Sequence, residues 1–257
     1  MQPFFFGTSQ EQLFGVYHAP EGRAIRNAAV VLCQPLGHEY LRAHRAFRNL
    51  AVALAGQGFH VLRFDYFGSG DSAGNPEQTT VERCLSDLSG AIQELKDISG
   101  AAKVSLIGLR FGATFAALAA SKRNDIDRLL LWDPVLDGRG YVDDLRLLQR
   151  EWLQDRLGTS KFAQESELIG FALTEAIREG LESASLAALP KVKAKTVSLL
   201  ISGDGSGYVT LKDRLERESG ASCIVVDESN DWRRADMVHQ ILLPHVMVKT
   251  IAAAMVS

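Results

Sequence analysis

The stretch Lys103-Val-Ser-Leu-Ile-Gly-Leu-Arg-Phe-Gly-Ala113 decides the fold of this 257-residue chain. Residues 104–107 predict a buried strand, and the Ala-rich residues 111–121 predict a helix. The turn between them is short and has a glycine at each end, so Arg110 is expected at a tight strand-to-helix turn. An arginine is an unusual residue there, because a helix N-terminus carries partial positive charge.

The same alternation of strand and helix extends in both directions from this stretch. Residues 13–18 predict a strand that pairs antiparallel with 4–6, and later apolar runs predict strands at 28–33, 60–64, 128–132, 196–201 and 223–226. Helical spacing is found at 43–55, 80–98, 209–219 and 235–255. Strands that alternate with helices predict an α/β fold with a doubly wound, mostly parallel sheet and helices on both faces.

The alternation stops between residues 138 and 190, where 141–157 and 167–181 have helical patterns and no strand is predicted. We therefore expect a core formed by residues 1–137 and 191–257, with a helical cap, residues 138–190, inserted in it. A helical insertion between two core strands is well placed to cover a ligand pocket. The alternatives are that it only covers apolar surface or forms the face of a homodimer.

Composition excludes several classes of partner and cofactor. The formal net charge is −3 and no block of Lys or Arg occurs, which argues against nucleic acid. No apolar run approaches the roughly 18 residues of a membrane span. The three cysteines lack metal-ligand spacing, so we expect no metal, no cofactor and reduced thiols in the cytoplasm.

Three motifs give the chain a family resemblance. Gly108-Leu-Arg-Phe-Gly112 is similar to a Gly-x-Ser-x-Gly nucleophile elbow, Asp65-Tyr-Phe-Gly-Ser-Gly-Asp-Ser72 to an Asp-x-x-Gly-x-Gly-x-Ser turn, and Cys33-Gln-Pro-Leu-Gly-His-Glu39 to an oxyanion loop. Over nearly its whole length the chain thus resembles the α/β-hydrolase superfamily. The elbow and the Pro-Leu-Gly-His-Glu loop also resemble hydrolase-like proteins associated with bacterial exosortase systems.

The resemblance implies a triad of serine, acid and histidine in that chain order. Arg110 takes the serine position, and its guanidinium stays protonated and has no lone pair for attack. Asp204 and Asp133 are alternative acids. The loop expected to carry the histidine, residues 227–232, has none, which leaves His239 and His38 as candidate bases. The predicted triad is therefore degenerate, no catalytic residue is secure, and enzymatic activity stays open.

Two roles for Arg110 follow from its place at a helix N-terminus. It can form a salt bridge to Asp133, Asp204 or Glu39, or it can bind an anion together with backbone amides of the elbow and the oxyanion loop. The second role predicts a ligand-binding set of Arg110, Phe111, Leu36, Gly37, His38, Glu39 and Trp232.

The leading functional hypothesis is a hydrolase-like protein that is not a conventional serine hydrolase. It would bind a small ligand, anionic or acyl-bearing, beneath the cap. One alternative is an active hydrolase or acyl-transfer enzyme that acts on esters or thioesters with a non-standard arrangement. Another is an interaction protein that docks a partner through the cap; an exposed apolar stripe along residues 141–157 would favour it.

Overall fold

The computed structural model describes residues 1–22, 25–161, 166–189, 191–228, 232 and 242–256. Ten strands lie in these ranges: β1 Gln2–Phe6, β2 Leu13–His18, β3 Ala29–Cys33, β4 His60–Phe64, β5 Val104–Leu109, β6 Ile126–Trp132, β7 Glu167–Leu168, β8 Phe171–Ala172, β9 Thr196–Ser202 and β10 Ser222–Val226. Eight of them form one sheet, in the order β1-β2-β4-β3-β5-β6-β9-β10.

The sheet is parallel from β4 to β10 and antiparallel at the β1-β2-β4 end. Every residue of β3 and β5 is buried, as expected of central strands covered on both faces. The predicted doubly wound, mostly parallel sheet is confirmed.

Helices cover both faces of the sheet. The described helices are α1 Gly37–Gly56, α2 Val81–Ser99, α3 Phe111–Lys122, α4 Gly138–Leu157, α5 Glu175–Ser183, α6 Val209–Ser219 and α7 His245–Ala254. Apolar side chains of α1 and α7 form one core with one face of the sheet, and those of α2 to α6 form a second core on the other face. None of the helices in the described ranges is long and apolar enough to cross a lipid bilayer.

The segment between β6 and β9 differs from the helix-only prediction. Its residues 167–172 form the β7–β8 hairpin, and the predicted helix over 167–181 is limited to α5. The hairpin turn places Ile169 and Gly170 at φ of 53° and 80°, and Gln149 of α4 accepts a hydrogen bond from the Ile169 amide at 2.8 Å. A branched residue rarely adopts positive φ, so this turn depends on the contact with α4.

Two helix boundaries also differ. Helix α1 begins at Gly37 and not near residue 43, so His38 and Glu39 lie in its first turn. The helix dipole stabilises an acidic side chain at this position. The closing helix was predicted over 235–255, but residues 242–244 are not helical, and α7 begins after Pro244. Residues 235–241 lie outside the described part of the chain.

Candidate functional site

The turn between β5 and α3 places Arg110 in a strained backbone conformation, with φ 54° and ψ −122°. The two flanking glycines are required sterically. A Cβ at Gly108 would clash with the carbonyl of Gly112, and one at Gly112 would clash with the carbonyl of Cys33 at the end of β3. The elbow geometry is thus retained around a residue that is neither Gly nor Ser.

The Arg110 side chain is held by a buried carboxylate. Its Nε donates to Oε1 of Glu39 at 2.9 Å, and its Nη1 donates to the backbone carbonyl of Asp133 at 3.3 Å. The Glu39 side chain is fully buried and that of Arg110 is 13% exposed. Of the three carboxylates considered as partners from the sequence, Glu39 is the one that pairs with Arg110.

Two tyrosines complete this polar group. The Tyr141 hydroxyl donates to Oε2 of Glu39 at 3.0 Å, so both carboxylate oxygens are occupied. Tyr208 lies against the guanidinium; burial raises the pKa of Tyr208 to about 12, although Arg110 acts to lower it. Burial lowers the pKa of Arg110, but the charge of Glu39 and the two tyrosines outweigh burial and hold that pKa above its usual value. Arg110 is therefore a permanent cation.

The buried carboxylate of Asp133 is engaged by donors from two elements. Its Oδ1 accepts from the Ser202 amide at 2.7 Å, and its Oδ2 accepts from the Ser202 hydroxyl at 2.7 Å and from the Trp232 indole N–H at 2.9 Å. Trp232 follows β10, where the resemblance led us to look for a histidine. An indole N–H only donates, so Trp232 cannot accept a proton as a general base.

Arg110 borders a cavity of about 640 Å³ at the carboxyl edge of the sheet. This Arg110 cavity is also lined by Asp133, Asp137, Tyr141, Asp144, Tyr208 and Trp232. Among the described residues, three aspartates and one arginine line this cavity, and Glu39 already pairs with that arginine.

A second cavity, of about 280 Å³, lies between the end of β3 and the elements β8 and α5. This His38 cavity is lined mainly by apolar side chains, including Leu36, Tyr141, Leu145, Leu168, Phe171 and Ile177. Gly37 and His38 also line it. Tyr141 borders both cavities and therefore forms part of the wall between them.

His38 is buried, and its Nε2 has no hydrogen-bond partner among the described residues. Burial lowers the pKa of His38, while Glu39 and a hydrogen bond to the Trp232 backbone act in the opposite direction. The ring is neutral near pH 7 as a result. Since its other nitrogen donates to the Trp232 carbonyl, Nε2 presents a lone pair.

The remaining sequence candidates lie apart from the two cavities or in their walls. Asp204 is exposed, and its Oδ1 accepts from the Ser206 amide and hydroxyl, which lowers the pKa of the Asp204 carboxyl. Phe111 is buried with its ring 5.0 Å from that of Tyr141. His239 lies outside the described residues.

Sequence reasoning missed several residues of the site. Tyr141, Ser202 and Tyr208 were not singled out, and neither were Gln34 and Tyr66, which line the His38 cavity. No spacing in the sequence distinguishes them, because each reaches the site through the tertiary fold. In the part of the chain that the structure describes, no group of three or more His, Cys, Asp or Glu residues could hold a metal ion.

Solved structures share this fold at low sequence identity. Est1E from Butyrivibrio proteoclasticus, determined with ferulic acid, has a TM-score of 0.65 at 13% identity, with 99% of this chain and 100% of that chain covered. A thioesterase domain from the curacin biosynthetic pathway has a TM-score of 0.62 at 16% identity over 100% and 99% of the two chains. The bottromycin epimerase BotH, in complex with bottromycin A2, has a TM-score of 0.59 at 17% identity, with 99% of each chain covered.

Sequence comparison identifies the family. No curated protein matches the chain in sequence. The family model described as serine aminopeptidase, S33, matches residues 26–203, which include β3, the elbow and the segment up to β9. With its mostly parallel eight-stranded sheet and the elbow between β5 and α3, the chain belongs to the serine aminopeptidase S33 family of α/β-hydrolases.

Proposed function

We propose that this protein is a member of the family that binds a small acyl-bearing ligand and does not use serine-hydrolase chemistry. The observation that carries the proposal is the Arg110–Glu39 ion pair at the elbow, with the guanidinium bordering the Arg110 cavity. A guanidinium has no lone pair with which to attack a carbonyl. The elbow therefore supplies a fixed cation in place of a nucleophile.

The surroundings of Asp133 support the same reading. In a working triad the acid orients a histidine, whereas the described donors to this carboxylate are Ser202 and Trp232. Neither can take a proton from a nucleophile at neutral pH. Arg110 thus stands in place of the nucleophile, and among the described residues the carboxylate of Asp133 holds no base but takes part in a hydrogen-bond network with Ser202 and Trp232.

Charge in the Arg110 cavity favours an acyl carbonyl over a free anion. Glu39 neutralises Arg110, and among the described residues Asp133 and Asp137 add negative charge to the same walls. A second carboxylate would be repelled by these groups, while a carbonyl oxygen could accept a hydrogen bond from the guanidinium edge. Residues 138–190 would act as a cap, since α4 contributes side chains to the walls of both cavities and α5 to those of the His38 cavity.

The similarity to the exosortase-associated hydrolase-like proteins is part of this proposal, and it rests on the Gly-Leu-Arg-x-Gly elbow. In that reading, arginine at the elbow is a property of a branch of the superfamily. An acyl-bearing ligand is compatible with it.

The proposal is tested by measuring turnover and binding separately. We expect no hydrolysis of p-nitrophenyl esters or acyl thioesters above the uncatalysed rate, and we expect binding of methyl propionate to be stronger than binding of propionate. Arg110→Met should weaken ester binding by about tenfold, because one hydrogen bond from a charged donor is lost. Turnover that Arg110→Met abolishes would contradict the proposal.

A second candidate is an active hydrolase or acyl-transfer enzyme, and the unpartnered Nε2 of His38 favours it, since a neutral imidazole can activate water. However, His38 and Arg110 line different cavities, so one substrate carbonyl would have to reach across Tyr141. The same ester and thioester assays, repeated with His38→Ala, decide the matter. Turnover lost in that variant would support this candidate.

The interaction hypothesis finds less support in α4. Tyr141, Leu145 and Leu153 are buried in the protein itself, which leaves no continuous apolar stripe along the exposed side of that helix. Leu147 and Leu157 are exposed singly. A homodimer remains an alternative that the mass of the protein in solution would decide.

A further inference from the structure

Tyr141 is shared by the two cavities. It lines both the Arg110 cavity and the His38 cavity, and no other residue in the described ranges does so. Its side chain is buried, so it lies inside the protein between the two spaces and does not project into solvent. What can pass from one cavity to the other therefore depends on this side chain.

The His38 cavity has apolar walls on the far side of Tyr141. They come from the loop after β3, from α4, from the β7–β8 hairpin and from α5, and include Leu36, Leu145, Leu168, Phe171, Ile177 and Leu181. The Asp65 carboxylate also lines this cavity, but it already accepts hydrogen bonds from the side chains of Gln34 and Tyr40 and from the Asp71 amide. A hydrocarbon chain would therefore be stabilised by burial in this space.

Three contacts fix the Tyr141 side chain in the wall. Its hydroxyl donates to Oε2 of Glu39 at 3.0 Å, its ring centre lies 5.0 Å from that of Phe111, and Cζ of Arg110 lies 5.8 Å from the ring centre. The helix is fixed as well, since a Cβ at Gly138, one turn earlier, would clash with a carbonyl of α5. Moving the ring aside would break a hydrogen bond to a buried carboxylate, so Tyr141 is a fixed wall and not a gate.

The ring lies in the path of a chain that leaves Arg110 towards the His38 cavity. An acyl carbonyl that accepts from the guanidinium would lie beside it, and the ring centre is only 5.8 Å from Cζ of Arg110. The chain would meet the ring within its first few carbon atoms. It would have to stay in the Arg110 cavity, where Asp133, Asp137 and Ser202 form polar walls and a hydrocarbon chain gains little.

We propose that Tyr141 sets the chain length of the acyl-bearing ligand by closing the apolar His38 cavity to a chain bound at Arg110. The protein then binds short acyl groups, and a small residue at position 141 would join the two cavities and admit longer chains. This inference rests on the proposed function and deepens it, because it names short-chain acyl groups as the ligand class.

A series of methyl esters of increasing chain length tests the proposal. Calorimetric titration of the whole wild-type protein should give affinities for methyl propionate, methyl pentanoate and methyl heptanoate within about threefold of one another, because the added methylenes find no apolar wall. In Tyr141→Ala, the affinity should rise about fourfold for each methylene that reaches the His38 cavity, and methyl heptanoate should bind at least about tenfold more tightly than methyl propionate.

The ratio of the affinities for methyl heptanoate and methyl propionate is the decisive quantity. A general loss of structure would weaken all the esters together and would not favour the longer one. Equal ratios in the wild type and in Tyr141→Ala would overturn the proposal, whether both proteins ignore chain length or both prefer the long ester. A wild-type protein that itself prefers methyl heptanoate by tenfold overturns it without any variant.

Tyr141→Phe is the matched control, because it loses the hydrogen bond to Glu39 as Tyr141→Ala does but keeps the ring. Its ratio should equal that of the wild type, whatever its affinity for methyl propionate; a ratio like that of Tyr141→Ala would mean that the ring is not the barrier. Tyr141→Leu removes the ring and keeps more apolar bulk. It should show the same preference as Tyr141→Ala to a smaller degree, and it replaces that variant if alanine prevents folding.

A crystal structure of unliganded Tyr141→Ala separates this inference from the proposed function. One continuous cavity is expected where the wild type has two, of about 640 and 280 Å³, and this result does not require that any ester binds. Two cavities that stay separate in the variant would overturn the role of Tyr141. Failure of the wild type to bind methyl propionate would instead contradict the acyl ligand proposed for the Arg110 cavity.

Discussion

At the scale of single residues, Arg110 makes this elbow differ chemically from one that carries a nucleophile. Its charge lies at the N-terminus of α3, where the helix dipole disfavours a cation, and its backbone has positive φ. Glu39 offsets the charge from the first turn of α1, where the dipole favours an anion. The ion pair therefore offsets the repulsion between the Arg110 cation and the dipole of α3. It also joins the N-terminal ends of two helices.

The two members of this ion pair should not be equally replaceable. Arg110→Met leaves the fully buried Glu39 carboxylate with only the Tyr141 hydroxyl, and should lower the free energy of unfolding by about 3 kcal/mol. Glu39→Gln leaves Arg110 next to a cavity where water can reach it, and should have a smaller effect, about 1 kcal/mol.

Chemical denaturation of the two single variants and of the double variant Arg110→Met/Glu39→Gln measures the coupling. The double variant should be more stable than Arg110→Met alone, because the unpaired buried charge is gone. Additive effects of the two substitutions would show that the contact does not contribute to stability.

At the scale of strands and helices, the sequence was sufficient to predict the elements of the core. It was insufficient to predict the contacts between those elements. Strand β4 and helix α6 have the predicted bounds, because their apolar patterns end at glycine or at a change of period. The β7–β8 hairpin could not be predicted, since the hydrogen bond from Ile169 to Gln149 stabilises an unfavourable turn.

The candidate site was predictable to a similar extent. Arg110 and Asp133 could be identified from their places after β5 and β6, and the structure brings them to one cavity with Trp232. The division into two cavities was not predictable. It depends on Tyr141, whose hydroxyl contacts Glu39 and whose ring packs on Phe111 only after α4 has docked on the core.

The pairing of β2 with β4 contains a histidine that should make stability depend on pH. His18 is buried and accepts a hydrogen bond from Nε of Arg63 at 3.3 Å, so its ring must be neutral at Nε2. Burial lowers the pKa of His18 to about 4, and the charges of Arg63, the N-terminal amine and Arg48 act in the same direction. In an unfolded chain this pKa is about 6.5.

The sign of the effect follows from proton uptake. Above pH 6.5, His18 is unprotonated in both the folded protein and the unfolded chain. Between pH 6.5 and 4, the unfolded chain binds a proton at His18 and the folded protein does not. The free energy of unfolding should therefore fall by about 3 kcal/mol as the pH decreases through this window. His18→Gln should remove this part of the pH dependence when both proteins are unfolded at pH 7, 5.5 and 4; parallel curves would contradict the assignment.

At the scale of the whole molecule, the segment between β6 and β9 is attached to the core at several places. Its apolar side chains belong to the same core as those of α2 and α3. An isolated bridge between Asp137 and Ser185 joins the first and last parts of the segment to each other. At its C-terminal end, Arg214 of α6 donates hydrogen bonds to the carbonyls of Leu186, Ala187 and Leu189. One side chain thus holds three carbonyl groups of the segment against a core helix.

Loss of this contact should loosen the segment without unfolding the core. Arg214→Met keeps much of the aliphatic side chain but removes all three hydrogen bonds, and should lower the free energy of local opening near residues 185–189 by about 2 kcal/mol. Amide hydrogen exchange followed by mass spectrometry measures this opening peptide by peptide. Arg217→Met on the same helix is the control, because the Arg217 guanidinium donates only to the Asp213 carbonyl within its own helix among the described residues. Faster exchange at residues 185–189 in Arg214→Met alone, with β5 unchanged, is the expected result; equal exchange in both variants would mean that apolar packing alone holds the segment in place.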